Sequence, residues 1–179
     1  MKRIKHMVIA SLLLLSCLVL GGCPSAMDTE AVRNGDSFRL QIINRFDSYY
    51  NVDFDDSGLP LVYISYEISD GSTKTAVFQL DGYNEKAGIG YKLVLSNDKN
   101  EWDEKRNNGD KEAPDLNDEK LIQDACLKYD YPIIFLSAYE YQEDTDNKAL
   151  QNLDSFIQNL NELLESNRIK DWAREADTR

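Results

Sequence analysis

The chain has 179 residues, with 20 Lys+Arg against 32 Asp+Glu and a single histidine, for a formal net charge of −12. That length bounds it to one domain, and the acid excess argues against nucleic acid, whose phosphates are met by Lys/Arg patches. The first 22 residues hold three of the basic residues (Lys2, Arg3 and Lys5), no acid and the only histidine, His6. Their removal as an export signal leaves 17 basic against 32 acidic residues, a net charge of −15 and no histidine. Histidine catalysis and histidine-ligated metals are then excluded from what remains.

The leader has three parts in order. Residues 2–6 are basic, and Met7 to Leu20 form an apolar stretch of 14 residues. That stretch is shorter than the ~20 residues a membrane-spanning helix needs, and it fits the apolar region of a secretory signal. Leu20-Gly21-Gly22-Cys23 follows at once, and this tetrad resembles the lipobox of bacterial lipoproteins. The resemblance covers residues 1–23 only. It implies cleavage between Gly22 and Cys23 and acylation of the Cys23 thiol, with the small Gly21 and Gly22 leaving the backbone open to the peptidase. Two or three acyl chains anchor a protein stably, whereas one does so only marginally. An ordinary signal peptide or membrane anchor with an incidental cysteine is the alternative. The order and register of the three parts favour the lipoprotein. Pro24 stands where an aspartate would, by analogy with enteric bacteria, favour the inner membrane, which points to the outer membrane in a Gram-negative source.

Residues 23–36 read as the lipidated cysteine and a polar tether, reaching at most roughly 45 Å when extended. A single domain is expected over 37–179. Phe38, Ile42, Phe46 and Tyr49 recur at helical spacing, with Ser37 as N-cap. Phe38, Leu40 and Ile42 also alternate like a strand, but a helix over 37–50 is favoured. Leu61–Ile68 and Thr73–Leu80, joined by Ser69-Asp70-Gly71-Ser72, read as a hairpin. A third strand is expected at Ile89–Leu95, after a glycine-rich connection containing Gly82, Gly88 and Gly90. Residues 96–120 hold nine acidic and five basic residues, and 96–116 reads as a long acidic loop. A helix is expected from about Asn117 to Tyr129. Ile133-Ile134-Phe135-Leu136 reads as a strand buried on both faces. Asp144 to Asp146 offer N-caps to a last helix carrying Leu150, Leu153, Phe156, Ile157, Leu160, Leu163 and Leu164, with Ile169 and Trp172 in a further turn. The order predicts an α+β fold: a small, mainly antiparallel sheet of about four strands with helices packed on one face.

Catalytic and metal motifs are sparse. Asn51-x-Asp53-x-Asp55 places oxygen ligands at alternate positions, as calcium favours. An EF-hand would need glycine sixth and glutamate twelfth, where Asp56 and Val62 stand. No serine elbow, P-loop, dinucleotide fingerprint or zinc spacing occurs. Nothing in the spacing selects a carboxylate pair for glycan hydrolysis. Cys126, in a helical apolar pattern, reads as a buried small hydrophobe. No cofactor is called for.

All ten tyrosines follow the leader, and tyrosine is favoured at interfaces. The expectation is therefore an acidic, non-enzymatic, lipid-anchored module that binds a basic protein partner, as inhibitors, immunity proteins and accessory subunits of envelope complexes do. Its contacts are expected at Trp102, Asp103 and Glu104, and at Tyr139, Glu140 and Tyr141, the two tyrosines sharing one face. The alternatives are a histidine-free hydrolase of envelope glycans with paired carboxylates and a calcium-dependent surface module.

Overall fold

The computed structural model describes residues 35–142 and 149–176. The order is helix α1 (Asp36–Tyr50), strands β1 (Leu61–Glu67), β2 (Thr73–Gln79), β3 (Gly82–Asn84) and β4 (Ile89–Val94), and helices α2 (Ser96–Asn107) and α3 (Glu119–Cys126). Strand β5 (Ile133–Ser137) and helices α4 (Tyr139–Gln142), α5 (Ala149–Leu164) and α6 (Asn167–Ala176) complete it. The class is α+β, as the order of elements implies. No described helix is long and apolar enough to cross a membrane. The lipobox, the tether up to residue 34 and the Asp144–Asp146 caps lie outside the described residues.

The strands form two sheets rather than one. The β1–β2 hairpin pairs antiparallel from Leu61↔Gln79 to Glu67↔Thr73. The second sheet has the order β3-β4-β5, with β3 antiparallel and β5 parallel to β4. A parallel neighbour needs a crossover, and α2 and α3 supply it. Strand β3 falls inside the expected glycine-rich connection. Gly82 pairs with Tyr91, and a Cβ there would collide with the Tyr91 ring, so the absent side chain is what lets this short strand close on β4.

All six residues of β4 are buried. Ile89, Tyr91 and Leu93, with Ile134 and Leu136 of β5, face a cluster containing Phe38, Ile42 and Phe46 of α1, Phe156 and Leu160 of α5, and Ile169 and Trp172 of α6. The alternate residues Val94, Ile133 and Phe135 face Val62, Ile64 and Phe78 of the hairpin, Trp102 of α2 and Ile122 of α3. Helices therefore cover both faces of the central sheet, not one, because both faces are buried, the second apolar but for Lys92. Helix α1 begins one residue earlier than expected. Gly35 at φ 80° is its N-cap, and Ser37 lies within its first turn.

Residues 96–107 are helix, not loop. An apolar period does not betray α2, since Trp102 is its one buried residue. Its support is ionic: Lys99–Asp103 at 2.6 Å, Glu101–Lys105 at 2.6 Å and Asp103–Arg106 at 3.2 Å are spaced three or four apart. Each such pair contributes about 0.2–0.5 kcal/mol to a helix. The Asp98 carboxylate accepts the Leu95 N–H at 2.9 Å and closes the first turn.

One charge lies in the core. Lys92 is 6 % exposed, with its ammonium 2.8 Å from Asp98, 3.3 Å from Asp81 and 5.8 Å from the centre of the Trp102 ring. Asp81 also accepts the Leu93 N–H at 2.8 Å. The triad ties β4 to α2 and to the link between β2 and β3. Removing one partner of a buried pair costs about 3–5 kcal/mol, because the remaining charge is left unpaired. Lys92→Met is therefore expected to lower unfolding free energy by about 3 kcal/mol in urea titration. Combining it with Asp81→Asn and Asp98→Asn should restore most of the loss.

Candidate functional site

The structure brings the two expected contact segments together and changes their character. Helix α4 lies beside α2: the Ser96 N–H donates to Gln142 Oε1 at 2.7 Å, and the Lys99 ammonium sits 5.9 Å from the Tyr139 ring centre. Trp102, expected as a surface contact, is only 6 % exposed. Its ring stacks on Phe135 with centroids 6.5 Å apart and lies 6.2 Å from Phe78. As the only large apolar side chain on a charged helix, it is the residue that must be buried. Tyr139 and Tyr141 do not share a face at a strand end. Strand β5 stops at Ser137, and the helical turn sends Tyr139 to the second core and Tyr141 to the first, 6.0 Å from Phe38. Glu104 and Glu140 are exposed.

Much of the local acid excess is neutralised within the fold. Lys99 pairs with Asp103, Arg106 with Asp103 and Asp115 (3.2 and 2.6 Å), and Lys74 with Asp115 and Asp118 (3.5 and 2.7 Å). The Tyr66 hydroxyl donates to Asp118 at 3.3 Å; burial, with the Asp118 charge adding, holds this phenol well above its usual range. This ladder joins α2 to the hairpin. With Asp98 on Lys92 and Glu101 on Lys105, five of the nine acids in 96–120 are ion-paired among the described residues. Asp103 is thus structural, and the acidic segment has less free charge than its composition implies.

Unpaired charge and exposed apolar surface coincide elsewhere. Alternation along β1 buries Val62, Ile64 and Tyr66 and exposes Leu61, Tyr63, Ser65 and Glu67. Across the hairpin, Tyr63 faces Val77 and Ser65 faces Thr75. Glu67 is the only charge among the outward-facing residues of these two strands. Leu61, Tyr63 (56 % exposed) and Leu121 of α3 are three of the five exposed large apolar side chains among the described residues. Tyr63 and Leu121 line a groove of about 550 Å³ between β1 and α3. Glu67, Asp124, Lys128 and Asp130 rim it, all exposed and none ion-paired among the described residues. Three carboxylates against one ammonium make this rim acidic. The sequence holds a signal for this face, because residues two apart on a strand share a face, which sets Tyr63 and Ser65 apart from Ile64 and Tyr66. Leu121 could not be joined to it before the chain was folded.

The remaining candidates resolve more plainly. Cys126 is fully buried, and burial raises its thiol far above the ordinary value. No group of three or more His, Cys, Asp or Glu side chains able to hold a metal occurs among the described residues. Within Asn51–Asp55, Asn51 is the left-handed C-cap of α1, and Asp55 forms an antiparallel bridge with Tyr83. Glu119 and Glu162 line one cavity of about 440 Å³. Burial, with the Glu140 charge adding, holds the Glu119 carboxyl above the usual carboxylate range.

The chain matches no protein-family model, no curated relative and no solved structure.

A raised carboxyl favours the folded state in its protonated form. Its contribution is complete below the unfolded pKa of about 4.3 and is lost as pH rises through the folded value. Glu119→Gln, which fixes the neutral form, is therefore expected to raise the melting temperature at pH 7. Near pH 3.5 it should leave it unchanged. A stability difference independent of pH would contradict the assignment.

Proposed function

We propose that the protein is a lipid-anchored, extracytoplasmic binding module that docks a protein partner on the β1–α3 face. The convergence of Tyr63 and Leu121 on one groove with an acidic rim unpaired among the described residues, and with Leu61 exposed on the same face of β1 as Tyr63, carries this reading. Interface centres are depleted of charge and enriched in tyrosine, with polar groups at the rim. The partner then presents an apolar centre ringed by Lys/Arg, and the rim charges steer its approach. An envelope inhibitor, an immunity protein or an accessory subunit of an envelope complex would use such a face. The address rests on Leu20-Gly21-Gly22-Cys23: acylated Cys23 holds the domain at a membrane, the outer one in a Gram-negative source.

The address and the face have separate tests. Cys23→Ser is expected to abolish lipid labelling and membrane retention, and a processed, lipid-labelled species in that variant would overturn the anchor. For the face, the full-length lipoprotein is used for affinity capture from its own envelope. Leu61→Ser with Tyr63→Ser is expected to reduce capture about tenfold or more, as loss of a hot spot does. Glu67→Lys with Asp124→Lys should weaken capture most at low salt. Loss of capture on Glu104→Lys and Glu140→Lys, with the β1 variants unaffected, would instead place docking at the α2–α4 corner.

A further inference from the structure

A second concavity lies on the other side of the central sheet. It measures about 970 Å³ and runs between the C-terminal end of α1, the β3–β4 turn and α6. That is near the top of the ~300–1,000 Å³ range of small-molecule sites. Its wall is aromatic and fixed. Trp172 donates its indole N–H to the Ala87 carbonyl at 2.7 Å and meets Tyr50 edge-to-face at 5.5 Å and 80°. Tyr50 in turn donates its hydroxyl to the Leu164 carbonyl at 3.4 Å. Beside this wall stands Tyr49, at 67 % the most exposed large apolar side chain among the described residues.

The rim differs from the aromatic wall in having polar groups to spare. Asp47, Ser48, Asn51 and Lys86 line the groove, and none of their side chains has a hydrogen-bond or ion-pair partner among the described residues. Asn84, also in the lining, is already committed to the Asp53 carbonyl and the Ala87 N–H, and Arg174 is paired with Asp171. The unpaired set is one carboxylate, one ammonium, one hydroxyl and one amide. Its charge is balanced, in a chain whose net charge is −12.

We propose that this groove binds a neutral oligosaccharide. A pyranose offers an apolar C–H face to an aromatic ring, and its hydroxyls both donate and accept. Lys86 requires an acceptor, Asp47 requires a donor, and Asn51 and Ser48 take either. The balance of Asp47 against Lys86 matches an uncharged ligand, since an anion would meet Asp47 and a cation Lys86. A polyproline segment would also suit an aromatic groove, but its prolines offer carbonyl acceptors without N–H groups and leave Asp47 unanswered. The site is independent of the β1–α3 face, and neither depends on the other.

The test uses the full-length protein labelled with 5-fluorotryptophan. Its two tryptophans give two 19F resonances; both are buried, but Trp172 lines the groove whereas Trp102 lies in the other core and serves as an internal control, and Trp172→Phe assigns the two. Chitotriose and cellotriose are the neutral probes, with trigalacturonate and a polyproline peptide for contrast. A neutral sugar is expected to shift the Trp172 resonance saturably, half-saturating at or below about 1 mM, and to leave Trp102 unmoved. Tyr49→Ala and Asp47→Ala, both at exposed positions, are expected to weaken that binding at least tenfold without changing the melting temperature. The proposal is overturned if neither neutral sugar gives a saturable shift up to about ten times that concentration. It is equally overturned if trigalacturonate binds more tightly than both, or if the polyproline peptide alone moves Trp172.

Discussion

The fold depends on a sheet that must be covered twice. Strand β4 is buried at every position, and β5 beside it at its first four. A pair of strands buried on both faces, and apolar but for Lys92, cannot rest on water, and burial is worth about 25 cal/mol per Å² of apolar surface. Two layers follow. Helices α1, α5 and α6 close one side, and the β1–β2 hairpin with α2 and α3 closes the other. The same requirement explains why β5 is parallel: the chain between β4 and β5 must cross the second face, and it does so as α2 and α3. The two proposed sites lie on the outer sides of these layers, which is why they are separate.

Charge in this acidic chain is partly architecture. Lys92 is held in the core by Asp81 and Asp98, and the ladder from Lys99 to Tyr66 stitches α2 to the hairpin. An isolated ion pair on a surface contributes little, but a shared ladder fixes several side chains at once. Net charge therefore misleads about which surface is available. The densest acidic segment is substantially neutralised, whereas the sparser carboxylates around Tyr63 and Leu121 are not.

What the sequence disclosed followed from periodicity. The hairpin was legible because two runs rich in β-branched and aromatic residues flank the Ser69-Asp70-Gly71-Ser72 turn, and β5 because its apolar run lacks any alternation. Helix α1 was legible from Phe38, Ile42 and Phe46. Helix α2 was not, because its order lies in charges three and four apart around a single Trp102, and high charge density resembles a solvated loop when only apolar spacing is read. Strand β3 is three residues long and contains Gly82, whose role appears only opposite Tyr91. Surface sites were hardest, since they join distant segments. Tyr49 and Trp172 are more than 120 residues apart, and Leu121 meets Tyr63 only after the α3 crossover is laid against β1.

The central proposal is that partner recognition belongs to the β1–α3 face rather than to the acidic helix. Site-specific photocrosslinking in intact envelopes tests it most directly, with the same photoreactive residue placed at Tyr63, at Leu121 and at Glu104 in turn. The account predicts one discrete adduct shared by the positions 63 and 121 and absent from position 104. An adduct formed from position 104 alone would contradict it.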